Sequence, residues 1–416
     1  MKCRFGLLVL LLITIIFTQG CWGSQETDEL GYVILIGIDK GEKNIVKVSF
    51  QIAVPQPVEG GEQKKATEVV TVEAASIFGA KELASSFISK NLTFVHNKAV
   101  IVSEDIAKEG LSKYINPLVR CRELRRTNYL TVVRGEASEF LEHNKELIFE
   151  KYTSRYIDLL MNASKFTGFV PESNIHKFYQ GLKSPGLQPI TALMAVKNKE
   201  DDKITKGQDI GNEKKAEEEM AYLPGDIPRK GGAKIEIIGQ VVFRDDKLVG
   251  FLNGKETRYY QMLTGDFQKG VFTIPDPEEP DKSIIVLEIK KGLSPEIRVD
   301  ITEAKTVIEV QLFLEGEILS IQSGQNYEKG EREKILERYV SNYFSREVVA
   351  LVRKTQKEYQ SDIFGFGEYT RKYFGTWEEW VDYRWLEKYS EVDIDVKTNF
   401  SICRTGLMAQ TAPSHK

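Results

Sequence analysis

The sequence predicts an α+β, mixed α/β protein of three domains, in which antiparallel sheets are packed by helices. At 416 residues with 41% hydrophobic side chains, the chain is long enough to bury more than one core. Alternating apolar and polar runs typical of half-buried strands are interleaved with segments of helical periodicity. Two stretches rich in charge, glycine or proline, 199–232 and 275–280, divide the chain.

The N-terminal mixed α/β domain is predicted over residues 21–198. Gly31–Asp39 is an almost wholly apolar run typical of a buried strand, and apolar residues alternate from Val46 to Val54, so the two are expected to pair as a hairpin. Glu68–Glu73 is a further short strand. Ser76 is expected to cap a helix with an apolar face formed by Ile77, Ala80, Leu83, Ala84, Phe87 and Ile88.

Strands and helices continue to alternate to the end of this domain. Strands are expected at Ala99–Val102, Thr127–Arg134 and Leu187–Val196, with a helix capped by Ser103. Helical periodicity dominates from Lys145 to about Gly181, with a break near Gly168–Pro171.

Residues 199–232 are expected to form a charged linker or long loop, because few large apolar residues occur there before Tyr222. A small β-rich middle domain is predicted at 233–281. It is built on a hairpin whose strands, Lys234–Arg244 and Lys247–Leu252, flank a turn at Asp245-Asp246.

The C-terminal α/β domain is predicted over residues 282–408, followed by a tail at 409–416. A long amphipathic helix is expected at about Glu328–Gln360 and a second helix at about Thr376–Tyr389. Four strands are expected, namely Ile284–Lys290, Ser294–Ile301, Lys305–Leu314 and Val392–Ile402.

The N-terminus has the features of a cleaved signal peptide, residues 1–20. Lys2 and Arg4 precede Phe5–Phe17, an apolar run that covers roughly 20 Å as a helix and is short for a hydrocarbon core of roughly 30 Å. Gly20-Cys21 at its end resembles the lipobox of bacterial lipoproteins, in which the cysteine carries diacylglycerol and an N-acyl chain. Cys21 is therefore the expected lipidation site. An ordinary secretory peptide and a retained signal anchor are the alternatives.

Cys121 and Cys403 are the other cysteines that a processed chain would keep. They either pair in an oxidising compartment or remain two buried thiols, and the sequence favours the second interpretation.

Composition and motifs give no catalytic residue, metal site or cofactor other than the lipid on Cys21. The chain has four histidines and no HExxH, CxxC, GxSxG or phosphate-binding loop. Its formal net charge of −4 gives no general reason to expect nucleic-acid binding.

Two clusters of side chains admit a binding role. Four arginines within residues 120–126 either bind lipid phosphate or a partner's carboxylates, or form a solvated helix end salt-bridged beside Glu123. Three tryptophans within 377–385 either form a membrane or partner face or a packed core stripe. In both cases the structural interpretation is favoured, namely a solvated helix end for the arginines and a packed core stripe for the tryptophans.

The segment Ser361–Tyr369 is predicted to be a structural turn that also borders a partner surface. Gly365 and Gly367 flank Phe366 directly after the long helix, where glycine permits a left-handed backbone. Asp362 is expected to accept backbone hydrogen bonds within the turn.

Four stretches in chain order resemble the Ger(x)C family, the lipoprotein C subunits of spore germinant receptors. The first is Cys21-Trp22 with a following acidic stretch and GIDKG at 37–41, and the second is VHNKAV at 95–100 with the arginine-bearing segment through Arg126. The third is IIGQVVFRDDKLVGFLNGKETR at 237–258, and the fourth is SDIFGFGEY at 361–369.

This resemblance implies a three-domain lipoprotein at the outer face of the spore inner membrane, acting with two integral-membrane subunits in nutrient-triggered germination. It implies a scaffold or coupling role rather than catalysis, with the small-molecule nutrient as a direct or an indirect partner. A lipid-anchored extracytoplasmic solute-binding protein and an extracytoplasmic hydrolase are the alternatives.

Overall fold

The computed structural model describes residues 5–6, 26, 28–54, 67–144, 153–197, 219–302 and 305–406. Within these ranges, strands form one nine-stranded and one four-stranded sheet, and helices pack on both. The predicted mixed α/β class is confirmed. The signal segment apart from Phe5 and Gly6, Cys21, most of the 199–232 linker and the tail lie outside the described residues.

The first sheet contains every described strand up to residue 252. Its order is β3-β2-β1-β5-β6-β7-β8-β9, with β4 paired to β1. The strands are β1 (Leu30–Lys40), β2 (Val46–Ala53), β3 (Thr67–Ala74), β4 (Asn91–Thr93), β5 (Ala99–Ser103), β6 (Tyr129–Arg134), β7 (Ile190–Val196), β8 (Ile235–Arg244) and β9 (Lys247–Leu252).

Strand direction differs between the centre and the flanks of this sheet. The predicted β1–β2 hairpin is confirmed, and β7, β8 and β9 are also antiparallel. The central strands β1, β5, β6 and β7 are parallel. A parallel pair requires a crossover connection, and helical segments supply it between each of these strands. The first sheet is therefore mixed: its flanks are antiparallel as predicted, and its centre adds parallel pairs that the sequence did not indicate.

Seven helices described before residue 190 cover the two faces of the first sheet. They are α1 (Ile77–Ile88), α2 (Glu104–Glu109), α3 (Ser112–Arg120), α4 (Ala137–His143), α5 (Thr153–Asn162), α6 (Ser164–Thr167) and α7 (Ile175–Lys183). Ser76 caps α1 as predicted, its Oγ accepting from the Gly79 N–H over 3.0 Å. Leu83 and Phe87, which were predicted to lie on the apolar face of this helix, are 50% and 61% exposed.

The second sheet has the order β10-β11-β12-β13. Its strands are β10 (Lys269–Pro275), β11 (Ile284–Ile301), β12 (Thr306–Ile321) and β13 (Asp393–Arg404). α8 (Gly254–Thr264) and the long α9 (Glu331–Lys354) share its core. A π-helical turn at Thr355–Tyr359 follows α9. The other described helical segments in this region are 3₁₀ helices at Phe366–Tyr373 and Tyr389–Glu391, α10 (Trp377–Asp382) and α11 (Trp385–Lys388).

Residues 233–281, predicted as a middle domain, are divided between the two sheets. β8 pairs with β7 from Ile190↔Val242 to Val196↔Ile235, so the predicted hairpin extends the first sheet. β10 pairs with β11 in the second. An edge strand pairs wherever its backbone groups find a partner, and local sequence does not show which strand that is.

The predicted bounds of two elements after residue 282, a strand pair and a helix, were also wrong. The strands expected at Ile284–Lys290 and Ser294–Ile301 form one strand, β11, with register shifts near Leu293 that absorb the break. The helix expected over Thr376–Tyr389 is broken at Arg384, whose φ of 53° is left-handed.

The two described cysteines are free. Cys121 is partly buried and Cys403 is exposed, so they neither pair nor form two buried thiols.

Candidate functional site

The predicted turn is built around the buried carboxylate of Asp362. Its Oδ1 accepts from the backbone N–H groups of Phe364 (3.1 Å) and Gly365 (3.0 Å). Its Oδ2 accepts from the Gly367 N–H (2.9 Å) and from the indole N–H of Trp385 (2.8 Å). Burial raises the pKa of this carboxyl to about 6, while hydrogen bonds from Gly367 and Trp385 lower it. One side chain thus holds the turn to the segment that follows α10.

The glycines of this turn are required for two different reasons. Gly365 has a φ of 74°, in the left-handed region, and the nearest neighbour to a Cβ there would be Leu187 at 3.5 Å. Gly367 has no room for a side chain, since a Cβ would lie 2.2 Å from Cδ1 of Trp385 and 2.6 Å from the Cα of Gly186. The first glycine therefore supplies backbone angles and the second supplies close approach.

The turn also joins the two sheets. The backbone N–H of Gln188, in the loop before β7, donates to the Asp362 carbonyl over 2.8 Å. The hydroxyl of Ser361 donates to the carbonyl of Phe243 on β8 over 2.6 Å. The Gly186–Gly367 approach lies in the same junction. These three contacts link the end of the first sheet to the loop that follows α9.

Phe366 cannot itself face a partner. Its side chain is fully buried in the second core, with its ring 5.2 Å from that of Phe364. Among the tryptophans, Trp380 and Trp385 are buried and Trp377 is 48% exposed. The core interpretation thus holds for two of the three tryptophans, and Trp377 is exposed, as are Tyr369, Tyr373 and Val381.

Arg258 is a second residue at the junction of the two sheets. It is the last residue of the stretch 237–258 that resembles the family, and no sequence pattern predicted a role for it. Its guanidinium donates to the carbonyl oxygens of Thr167 (2.6 Å) and Val271 (2.7 Å). It lies 4.0 Å from the ring centroid of Phe169 and 4.7 Å from that of Phe272. Burial lowers its pKa to about 10. Only long-range contacts identify this role, because the residues that surround Arg258 are far away in sequence.

The arginine cluster differs from its predicted salt-bridged form. Glu123, expected as its counter-ion, instead binds Lys81 over 2.9 Å and accepts from the Phe94 N–H over 2.7 Å. Arg120, Arg122, Arg125 and Arg126 are exposed and make no ion pair with a residue that the structure describes.

A cleft of about 730 Å³ is lined by residues from two parts of the chain, among them Tyr129 and Glu172 from one and Gln261 and Asp266 from the other. The amide nitrogen of Gln261 is already bound to the carbonyl oxygens of Gly168 and Val170. Within the described ranges, no group of three or more His, Cys, Asp or Glu side chains has the arrangement of a metal site. No helix in that part of the chain has the length and apolar character needed to cross a bilayer.

These features define a mixed α/β protein whose two sheets are joined by a buried acidic turn. A solved structure with this fold is the crystal structure of the GerBC protein, with a TM-score of 0.52 at 20% identity, covering 88% of this chain and 96% of that one.

Family models cover most of the chain. Residues 23–196 match the spore germination protein N-terminal domain, and residues 238–406 match the C-terminal domain described as spore germination B3/GerAC like. The chain belongs to this GerAC-like family of spore germination proteins, and the predicted family resemblance is confirmed.

Curated relatives match over nearly their full length. Spore germination protein KC of Bacillus subtilis is 27% identical, with 98% of this chain and 96% of the relative covered. Spore germination protein B3 of the same organism is 24% identical, with 98% and 99% covered. A putative spore germination protein, YfkR, is 22% identical, with 99% and 98% covered.

Proposed function

We propose that this protein is the lipid-anchored subunit of a spore germinant receptor, held at the outer face of the spore inner membrane through Cys21. It acts there with two integral-membrane subunits in nutrient-triggered germination. The observation that carries this proposal is the pair of family matches, which begin at residue 23, two positions after Cys21, and extend to residue 406. Full-length relatives named as spore germination proteins support it.

The acyl chains on Cys21 would be enough to hold the protein at the bilayer. Each methylene group buried in the bilayer contributes about 0.8 kcal/mol, so one acyl chain binds marginally and two or more bind stably. Eight residues lie between Cys21 and Leu30, the first residue of β1. A body tethered so closely has a high effective concentration at membrane partners.

The role we assign is to hold or couple the integral-membrane subunits, not to catalyse a reaction. Asp362 is the buried carboxylate at the candidate site, and its four N–H contacts come from the protein's own turn and Trp385. Arg258 is likewise engaged by the chain's own carbonyl oxygens. Both groups are thus used to join the two sheets.

Replacement of Cys21 by Ala tests the anchor. The variant should lose acyl labelling and should no longer recover the integral-membrane subunits by co-purification at wild-type yield. Cys403→Ala is the matched control, because Cys403 is an exposed free thiol. Acyl labelling that persists in Cys21→Ala would exclude this lipidation site. Membrane association without labelling would indicate a signal anchor instead.

The cleft beside Gln261 and Asp266 supports one second candidate, a solute-binding protein, since such sites are concave with a few convergent polar groups. Calorimetric titration of the purified chain with nutrient amino acids and sugars tests it. Saturable binding that Asp266→Asn abolishes would favour this function, and receptor subunits absent from co-purified material would favour it further.

A further inference from the structure

The chain enters the first sheet at one end of its parallel strands. β1 runs parallel to β4, β5 and β6, so these strands all start toward the same end of the sheet, with Asn91 level with Leu30 and with Ala99 and Tyr129 level with Leu35. We call the exposed residues around these strand starts the entry edge. The nine Cα–Cα steps from Cys21 to Leu30 reach at most about 30 Å, so an anchor on Cys21 keeps the entry edge near the bilayer.

The entry edge carries unpaired positive charge. Residues 121–128 lead from the end of α3 to the start of β6, and Arg122, Arg125 and Arg126 are exposed on this segment. All three side chains are exposed and none is paired with a residue in the described ranges. The one carboxylate inside the segment, that of Glu123, is occupied by Lys81 and the Phe94 N–H.

Apolar side chains lie exposed at the same edge. Phe87 ends α1 just before β4 and is 61% exposed, and Val95 follows β4 and is 47% exposed. Val95 and Arg125 line one small cavity together with His96 and Lys98. An aromatic or aliphatic side chain beside arginines is the combination that binds the interface of an anionic bilayer.

Other charges at this edge are engaged within the chain or lie on the segment that enters the fold. Lys98 is paired with Asp158, and the ammonium group of Lys90 donates to the Asp28 carbonyl. The carboxylates of Glu26, Asp28 and Glu29 lie on the entering segment. They are in the part of the chain that approaches the bilayer, so salt and lipid charge will both influence the contact.

We propose that the entry edge lies against the bilayer, with Arg122, Arg125 and Arg126 bound to the phosphates of anionic phospholipid headgroups and Phe87 and Val95 in the interface. This inference rests on the proposed function, since the anchor on Cys21 brings the edge to the membrane. It adds an orientation, in which β1 points away from the bilayer and the β1–β2 turn lies about 33 Å further out.

Matched single-thiol labels test this orientation. Phe87→Cys and Ile45→Cys are compared in the full acylated chain with Cys121 and Cys403 replaced by Ser. The two positions are 61% and 60% exposed and lie at opposite ends of the first sheet. The chain is reconstituted in phosphatidylethanolamine–phosphatidylglycerol vesicles that contain a headgroup nitroxide lipid. We expect quenching of a fluorophore at position 87 and none at position 45.

The arginines are tested by a triple Gln variant at 122, 125 and 126. Each arginine near an anionic surface strengthens association by about fivefold, so the triple variant should lose the quenching at position 87. The matched control replaces Arg298, Lys305 and Lys397, which are exposed cations of the second sheet, and should retain it. Vesicles of phosphatidylcholine alone should weaken quenching in the unchanged chain.

Equal quenching at positions 87 and 45, or quenching that survives in the triple variant, would overturn the proposal. Protection of position 87 only when integral-membrane subunits are present would overturn it in favour of a protein contact. Failure of the proposed anchor is distinguishable, because acyl labelling of the reconstituted chain reports on the anchor independently of the quenching at position 87. Circular dichroism of each variant verifies that its fold is retained.

Discussion

Trp385 donates its indole N–H to the Asp362 carboxylate over 2.8 Å, across 23 positions of the chain. Both side chains are fully buried. The bond fixes the segment after α10 to the turn that follows α9, and the same turn contacts the first sheet through Gln188. The stability of the whole junction is therefore expected to depend on this pair.

Loss of the indole donor tests that dependence. In Trp385→Phe the Asp362 carboxylate keeps three N–H donors and loses the fourth, which should reduce the free energy of unfolding by about 1.5–3 kcal/mol. Trp377→Phe is the matched control, since Trp377 is half exposed, and should change it by less than about 0.5 kcal/mol. Denaturant titration of both variants measures the difference. Equal effects would show that the hydrogen bond contributes nothing specific.

Asp362 predicts a pH dependence of stability. Its pKa is raised from 3.8 to about 6, so the folded chain holds this proton more tightly than the unfolded chain. The contribution of this group is therefore most favourable below pH 4 and declines as pH rises to 6, by about 2–3 kcal/mol. Unfolding free energies of the unchanged chain and Asp362→Asn, measured from pH 4 to 7, should differ in slope in that window. Parallel curves would contradict the assignment.

The two glycines of the turn should tolerate alanine differently. Gly367→Ala places a Cβ against Trp385 and the Gly186 backbone and should destabilise the fold by about 2–4 kcal/mol. Gly365→Ala meets only the left-handed backbone cost, about 1–2 kcal/mol. Gly375→Ala, at an exposed position with ordinary space, is the control. Thermal melts rank the three, and an unaltered Tm for Gly367→Ala would exclude the close-approach argument.

Arg258→Lys tests the second junction. An ammonium group cannot reproduce two N–H contacts to Thr167 and Val271 while stacked between Phe169 and Phe272, so we expect a loss of about 2–4 kcal/mol. Arg298→Lys, at a position 76% exposed, should be nearly neutral. Chemical denaturation compares them. A neutral Arg258→Lys would mean that charge alone matters at this site.

Trp377 tests the partner surface that the turn was predicted to border. Its ring is half exposed and packs 5.0 Å from Trp380. We expect Trp377→Ala to leave abundance unchanged and to reduce co-purification of integral-membrane subunits, because exposed aromatic anchors dominate protein interfaces. Leu319→Ala, 51% exposed on β12, is the control. Normal recovery with Trp377→Ala would place the partner elsewhere.

The sequence by itself determined the elements whose signals are local. The β1–β2 hairpin, the α1 cap at Ser76, the Asp245-Asp246 turn and the hydrogen bonds of Asp362 with its own turn all depend on neighbouring residues. Hydrophobic period, cap chemistry and turn residues predict such features, because the interacting groups lie within a few positions.

Only the tertiary structure decided which distant groups meet. Chain topology determines that β8 pairs with β7 and that Trp385 reaches Asp362. It also determines that Gly186 abuts Gly367 and that two phenylalanines enclose Arg258. Leu83 and Phe87 show the same limit, since helical spacing identifies an apolar face but not whether another element covers it. Burial is a property of the assembled fold, and no local pattern contains it.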